Sequence, residues 1–169
     1  MGRRHLMSTI HLIVGNVGSG KSTHAARLSA ERDAHVFAND EWMRVLFFPD
    51  MPDPAPYEWA LERTQRIEQV IVTEAVRLAD RGMEVILDLG FFSAAQRARV
   101  SDRVREAGHA PQLHILDVDF ETRWQRVEER NRGGTDSYQF PVSREVFEFC
   151  ETIYETPEAE ERAGAIVVT

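Results

Sequence analysis

The chain has 169 residues, enough for one domain whose core needs no disulfide or metal staple. Hydrophobic residues make up 43% and charged residues 28%, the balance of a globular protein and not of a disordered one. The formal charge of −8 repels phosphate backbones and argues against a dedicated duplex-DNA binder, a local basic patch apart. The single cysteine, Cys150, excludes an internal disulfide framework and a cysteine-based zinc site, and it suits a reducing, cytoplasmic compartment. No apolar run approaches the ~20 residues of a membrane span, so no membrane partner is expected.

Residues 1–8 (MGRRHLMS) read as a flexible tail or a cloning remnant, leaving 9–169 as one domain. Ile10 to Val14 is a continuous apolar run closed by Gly15, the pattern of a strand buried on both faces. Lys21 to Glu31 has Ala25, Ala26 and Leu28 at helical spacing. Val36 and Phe37 mark a second strand, and Asn39 opens a helix through Phe48. Four prolines in residues 49–56 require a loop. Pro56 starts a long helix with Leu61, Ile67, Val70, Ile71, Ala75 and Leu78 on its inner face and Gly82 as its stop. Val85 to Leu89 is the third strand, and Ser93 caps a helix running to about Ala107. Leu113 to Val118 is the fourth strand, followed by Asp119 as the cap of a helix from Phe120 to about Asn131. Gly133 and Gly134 open a polar loop, Ser143 starts a helix through Tyr154, and Ile166 to Val168 is a fifth strand. Strands alternating with helices give an α/β domain with a parallel sheet. The strand order is not contained in these patterns.

The segment Gly15-Asn16-Val17-Gly18-Ser19-Gly20-Lys21-Ser22 satisfies G-x-x-x-x-G-K-[ST] and lies between a strand and a helix. Glycines let the main chain curl so that successive N–H groups face one anion, and the helix N-terminus adds partial positive charge. Lys21 is placed to reach the β- and γ-phosphates of a nucleotide, the Ser22 hydroxyl to ligate Mg²⁺, and Thr23 to touch the α-phosphate.

Two carboxylates follow strand ends, where parallel sheets place their chemistry. Asp88 would hold Mg²⁺ or its waters, or else bond nearby loop amides. Asp40 would accept the proton of a substrate hydroxyl or hold it in line, and the alternative is that Asn39 or Asp40 caps the next helix. Arg123, Arg126 and Arg130 recur on one helical face beside Arg132, as an oxygen-clamping set or as a solvated stripe. Phe91, three residues after Asp88, is the aromatic best placed to line an acceptor pocket, ahead of Trp42, Phe47, Phe48, Tyr57, Trp59 and Phe92. The proline-rich loop is a candidate cover for that pocket. Histidines 5, 11, 24, 35, 109 and 114 show no ligand spacing, and Cys150 reads as a small core residue.

The residues 15–23, Asp40, VILDLGF at 85–91 and RVEERN at 126–131 together resemble the small P-loop kinases with an adenylate-kinase-like core, grouped with AAA-family ATP-binding proteins. Gluconate kinase, chloramphenicol phosphotransferase and the kinase domain of polynucleotide kinase belong to that set. The resemblance implies a three-layer P-loop NTPase fold, a five-stranded parallel sheet of order 2-3-1-4-5 and a small helical lid. It also implies Asp40 as the acid that activates the acceptor and Arg126 and Arg130 as lid arginines. The expected activity is ATP- and Mg²⁺-dependent phosphoryl transfer to the hydroxyl of a small molecule, by a monomer or homodimer. A nucleotide-binding regulator or slow ATPase is the alternative from another class, and a 5′-hydroxyl nucleic-acid kinase is a third.

Overall fold

In the computed structural model, which describes residues 7–133 and 141–169, the first apolar run forms strand β1 (Thr9–Val14) at the centre of the sheet. It is flanked by β3 (Val85–Asp88) and β4 (Ala110–Leu116), with β2 (His35–Ala38) and β5 (Ile166–Val168) outside them. All pairings are parallel and the order is β2-β3-β1-β4-β5, as the resemblance implies. The helices are α1 (Lys21–Arg32), α2 (Asn39–Leu46), α3 (Tyr57–Ala79), α4 (Ala94–Glu106), α5 (Phe120–Asn131), α6 (Arg144–Ile153) and α7 (Ala159–Ala163). No helix among the described residues is long and apolar enough to cross a membrane.

Alternation along β1 divides the core. Ile10, Leu12 and Val14 face Ile67, Ile71, Val72 and Ala75 of α3 and Val100 and Val104 of α4. Ile13 faces Ala25 and Leu28 of α1, with Ile86 and Leu116 beside it. Each buried aliphatic contributes about 1.5–3 kcal/mol, so the α3 side carries most of the apolar stabilisation.

Several elements differ from their sequence expectations. The inner face of α3 is Ile67, Glu68, Ile71, Val72, Ala75 and Ala79, while Leu61 and Val70 are exposed. Glu68 is tolerated there because it accepts from Gln96 Nε2 and Arg99 Nη2, each at 2.6 Å. Strand β4 begins at Ala110 and ends at Leu116, three residues earlier and two residues earlier than the apolar pattern indicates. Pro111 fits because Ala110 donates toward β1, so the next residue faces the β5 side, and β5 reaches only His114 to Leu116. Phe48–Asp50 is a 3₁₀ turn, which ends α2 early, and α7 is an element without a sequence counterpart. Ser8 is not loose: its hydroxyl donates to Ala79 O at 3.0 Å and its carbonyl accepts from Ala110. Residues 1–6 and Gly134 lie outside the described residues, as does most of the loop after α5. Asn131 closes the base of that loop with two bonds to Val142, at 2.8 and 3.1 Å.

Candidate functional site

The turn from β1 into α1 is shaped by glycine where nothing else fits. Gly18 has φ +79°, and a Cβ there would stand 2.4 Å from the carbonyl oxygen of Arg123. Gly20, with φ +93°, is the N-cap of α1 and carries no capping side chain, and the first turn holds no acid. The amides of Lys21, Ser22 and Thr23 therefore open the helix with no carbonyl of that helix to bond, a cradle suited to an anion. The side chains of Asn16 and Ser19 turn inward and are buried, so residues 15–20 present main chain. The Val17 amide is already taken by Asn16 Oδ1 at 2.7 Å.

Lys21 extends across the loop and donates to Asn16 O at 3.1 Å. Burial pushes its ammonium pKa down, Arg130 acts in the same direction, and Asp88 and Asp40 oppose it. Asp88, at the end of β3, accepts from Ser22 Oγ at 2.8 Å. Burial raises its carboxyl pKa against the pull of Lys21 and the Ser22 bond. Asp88 is thus bonded to the phosphate-loop serine and is not a mere strand-end acceptor of loop amides.

Asp40 lies in the first turn of α2, whose N-cap is Ala38 with no side-chain capping bond, so neither Asn39 nor Asp40 is a cap. Asp40 is exposed, and its charge acts on Lys21, Asp88 and Arg130 together, so it lies within electrostatic reach of all three. Asn39 Oδ1 beside it is buried without a hydrogen-bond partner. Arg130 is partly buried, and burial lowers its pKa while Asp40 opposes the fall. Arg126 Nη1 donates to Ser19 O at 3.2 Å and passes over Gly20. The arginine face of α5 therefore turns toward the phosphate loop, buried at Arg123, half-buried at Arg130 and exposed to solvent at Arg126. Arg132 is not on it: it is exposed and pairs with Glu128 at 3.8 Å.

Phe91 does not line a pocket. It is fully buried in the core with φ +48°, and its carbonyl accepts from Arg97 at 3.1 Å. Trp42, Phe47, Phe48 and Trp59 pack against the same core, whereas Tyr57 is half-exposed and meets Phe149 of α6 edge-on at 5.4 Å. Sequence reading also missed Glu151, which accepts from both Asn16 Nδ2 and Arg123. These bonds tie it to the phosphate loop, and no local sequence motif marks it.

A family model described as AAA domain matches residues 10–155. The chain belongs to this AAA domain family. No curated protein matches it. Among solved structures it is similar to Chaetomium thermophilum Kti12 in complex with ADP-AlF3, at 18% identity and a TM-score of 0.68, over 95% of this chain and 88% of that one. A sugar kinase from Janibacter sp. matches at 15% identity and a TM-score of 0.65, over 96% and 84%. A gluconokinase from Sinorhizobium meliloti matches at 13% and 0.63, over 98% and 83%. At these identities the likeness is one of fold, and the fold is that of the P-loop kinases.

Proposed function

We propose that the protein is an ATP- and Mg²⁺-dependent phosphotransferase acting on a hydroxyl group of a small molecule. The observation that supports this reading is the Asp88 carboxylate bonded to Ser22 beside the anion cradle, with the charges of Asp88, Asp40 and Arg130 all acting on Lys21. A binding module needs the cradle alone. A second carboxylate whose charge reaches the lysine is what an acceptor requires. The sugar kinase and gluconokinase among the similar structures add support for a small hydroxylated acceptor.

Ser22 Oγ and Asp88 Oδ2 are hard oxygen donors 2.8 Å apart, a pair that fits Mg²⁺, which takes few protein ligands and keeps water and phosphate oxygens for the rest. When bound, the ion supplies charge neutralisation on the β- and γ-phosphates. The main-chain amides of residues 18 and 20–23 bind and orient the polyphosphate, the Ser19 amide being held by Asn16 O at 3.2 Å, and Lys21 exchanges Asn16 O for a phosphate oxygen. Asp40 orients the acceptor hydroxyl and receives its proton. Arg126 and Arg130 place guanidinium charge beside the transferring group, where positioning and electrostatics supply the rate enhancement.

Purified protein with Mg²⁺ and γ-labelled ATP, screened against sugars, nucleosides, antibiotics and short oligonucleotides, tests the proposal. Transfer to one acceptor class, lost in Lys21→Ala and in Asp40→Asn, is the expected result. Hydrolysis to water alone, unaffected by Asp40→Asn, would replace it with the slow-ATPase or regulator reading.

A further inference from the structure

Glu151 is separated from Asn16 by 135 positions, yet its carboxylate holds the Asn16 side-chain amide. The same carboxylate takes a two-pronged ion pair from Arg123, Nη1 to Oε1 at 2.7 Å and Nη2 to Oε2 at 2.8 Å. Arg123 also donates from Nη1 to Val17 O at 3.2 Å and from Nε to Val118 O at 3.0 Å. All three guanidinium nitrogens are engaged by protein oxygens. This commits Arg123 to holding the loop and takes it out of the phosphate-clamping set formed by its helical neighbours.

We infer that Arg123 and Glu151 are positioning residues that fix the first half of the phosphate loop, so that the seating of α6 sets nucleotide affinity. The inference rests on reading residues 15–23 as a nucleotide site. Its physical basis is the number of anchors that meet on two consecutive loop residues. Asn16 is held through its side chain and Val17 through its carbonyl, while the Arg123 carbonyl stands directly against Gly18. A loop pinned in this way needs no reorganisation when a polyphosphate arrives, which is the condition for strong electrostatic binding. A cavity of about 150 Å³ adjoins the latch, lined by Asn16, Arg123, Glu151 and Tyr154 among others. Water can enter it and solvate the groups that a substitution leaves unpaired, so loss of the latch loosens the loop more than it unfolds the domain.

The test is titration of a fluorescent ATP analogue with Mg²⁺ against wild type, Glu151→Gln and Arg123→Lys, with melting temperatures measured in parallel. Glu151→Gln removes the negative charge and replaces one carboxylate oxygen with an NH2 group that faces an Arg123 donor. Arg123→Lys keeps the charge, but a single ammonium cannot span Glu151, Val17 O and Val118 O. Both variants are expected to bind the analogue about tenfold more weakly or worse, with melting temperatures within a few degrees of wild type. Folded variants that bind within twofold of wild type would overturn the inference, as would a lysine variant that retains full affinity. If Glu151→Gln fails to fold, Asn16→Ala, which removes the loop end of the latch together with the bond to the Val17 amide and leaves Arg123 and Glu151 paired, is expected to give the same loss. A wild type that binds no nucleotide would instead overturn the reading of the site beneath it, a different result from wild-type binding with insensitive variants.

Discussion

Acid should weaken this fold well above the carboxylate range, because three histidines are buried between the sheet and α1. His11 Nδ1 meets His114 Nε2 at 3.0 Å, and His114 Nδ1 meets His24 Nε2 at 3.0 Å. Arg27, which can only donate, contacts His24 Nδ1 at 3.2 Å, and the Glu84 carboxylate, which can only accept, contacts His11 Nε2 at 3.3 Å. The two ends dictate one arrangement, with every ring neutral and its proton on Nε2, donating along the row toward Glu84. A further proton has no acceptor inside the row. Burial, with the charges of His11, His24 and Arg32 acting in the same direction, pushes the His114 pKa down to about 4 from 6.5. The unfolded chain therefore binds the proton first, and stability is full above pH 6.5, falls below it and levels off near pH 4. From those two values the His114 contribution to the loss between pH 8 and pH 5 is about 2 kcal/mol, with His11 and His24, both lowered by burial, acting in the same direction. Asp88, whose pKa is raised, has the opposite sign, so the comparison is made with His114→Gln. Urea unfolding at pH 8, 6 and 5 should show the loss in wild type and a shallower one in the variant. Equal slopes for the two proteins would refute the reasoning.

Three other perturbations have defined outcomes. Gly18→Ala puts a Cβ 2.4 Å from the Arg123 carbonyl oxygen at φ +79° and should cost about 2 kcal/mol or more by thermal unfolding, with nucleotide binding lost. Arg97→Ala removes a fully buried guanidinium that bonds Glu161 at 2.6 and 2.9 Å and Phe91 O at 3.1 Å, and should destabilise by about 3 kcal/mol in denaturant titrations. Ser22→Ala changes an exposed residue and removes one bond to Asp88, so the melting temperature should fall by no more than a few degrees while the Mg²⁺ enhancement of ATP binding, read by titration with and without the ion, disappears.

Local grammar made the phosphate loop legible. Its glycines, lysine and serine are consecutive, and the apolar run before it and the helical spacing after it need no distant partner to be recognised. The strand order was not legible in the patterning, because alternation shows which face a residue takes and not which strand lies beside it. It came instead from resemblance. The histidine row was hidden for the same reason: positions 11, 24 and 114 share no spacing until β1, β4 and α1 are stacked. Glu151 looked like any acid on an amphipathic helix, since its partners lie on α5 and on the loop after β1. Phe91 misled because nearness to Asp88 in sequence, three residues away, says nothing about direction, and the ring is buried in the core at a positive φ. Leu61 and Val70 extended an apolar stripe that the long helix α3 leaves in solvent.

The most direct test is calorimetric titration of Mg²⁺-ATP into wild-type protein and Lys21→Ala. The account predicts saturable, one-to-one binding that weakens at least tenfold, about 1.4 kcal/mol, when the lysine is removed. No heat of association in the wild type, or equal affinity in the two proteins, would contradict it.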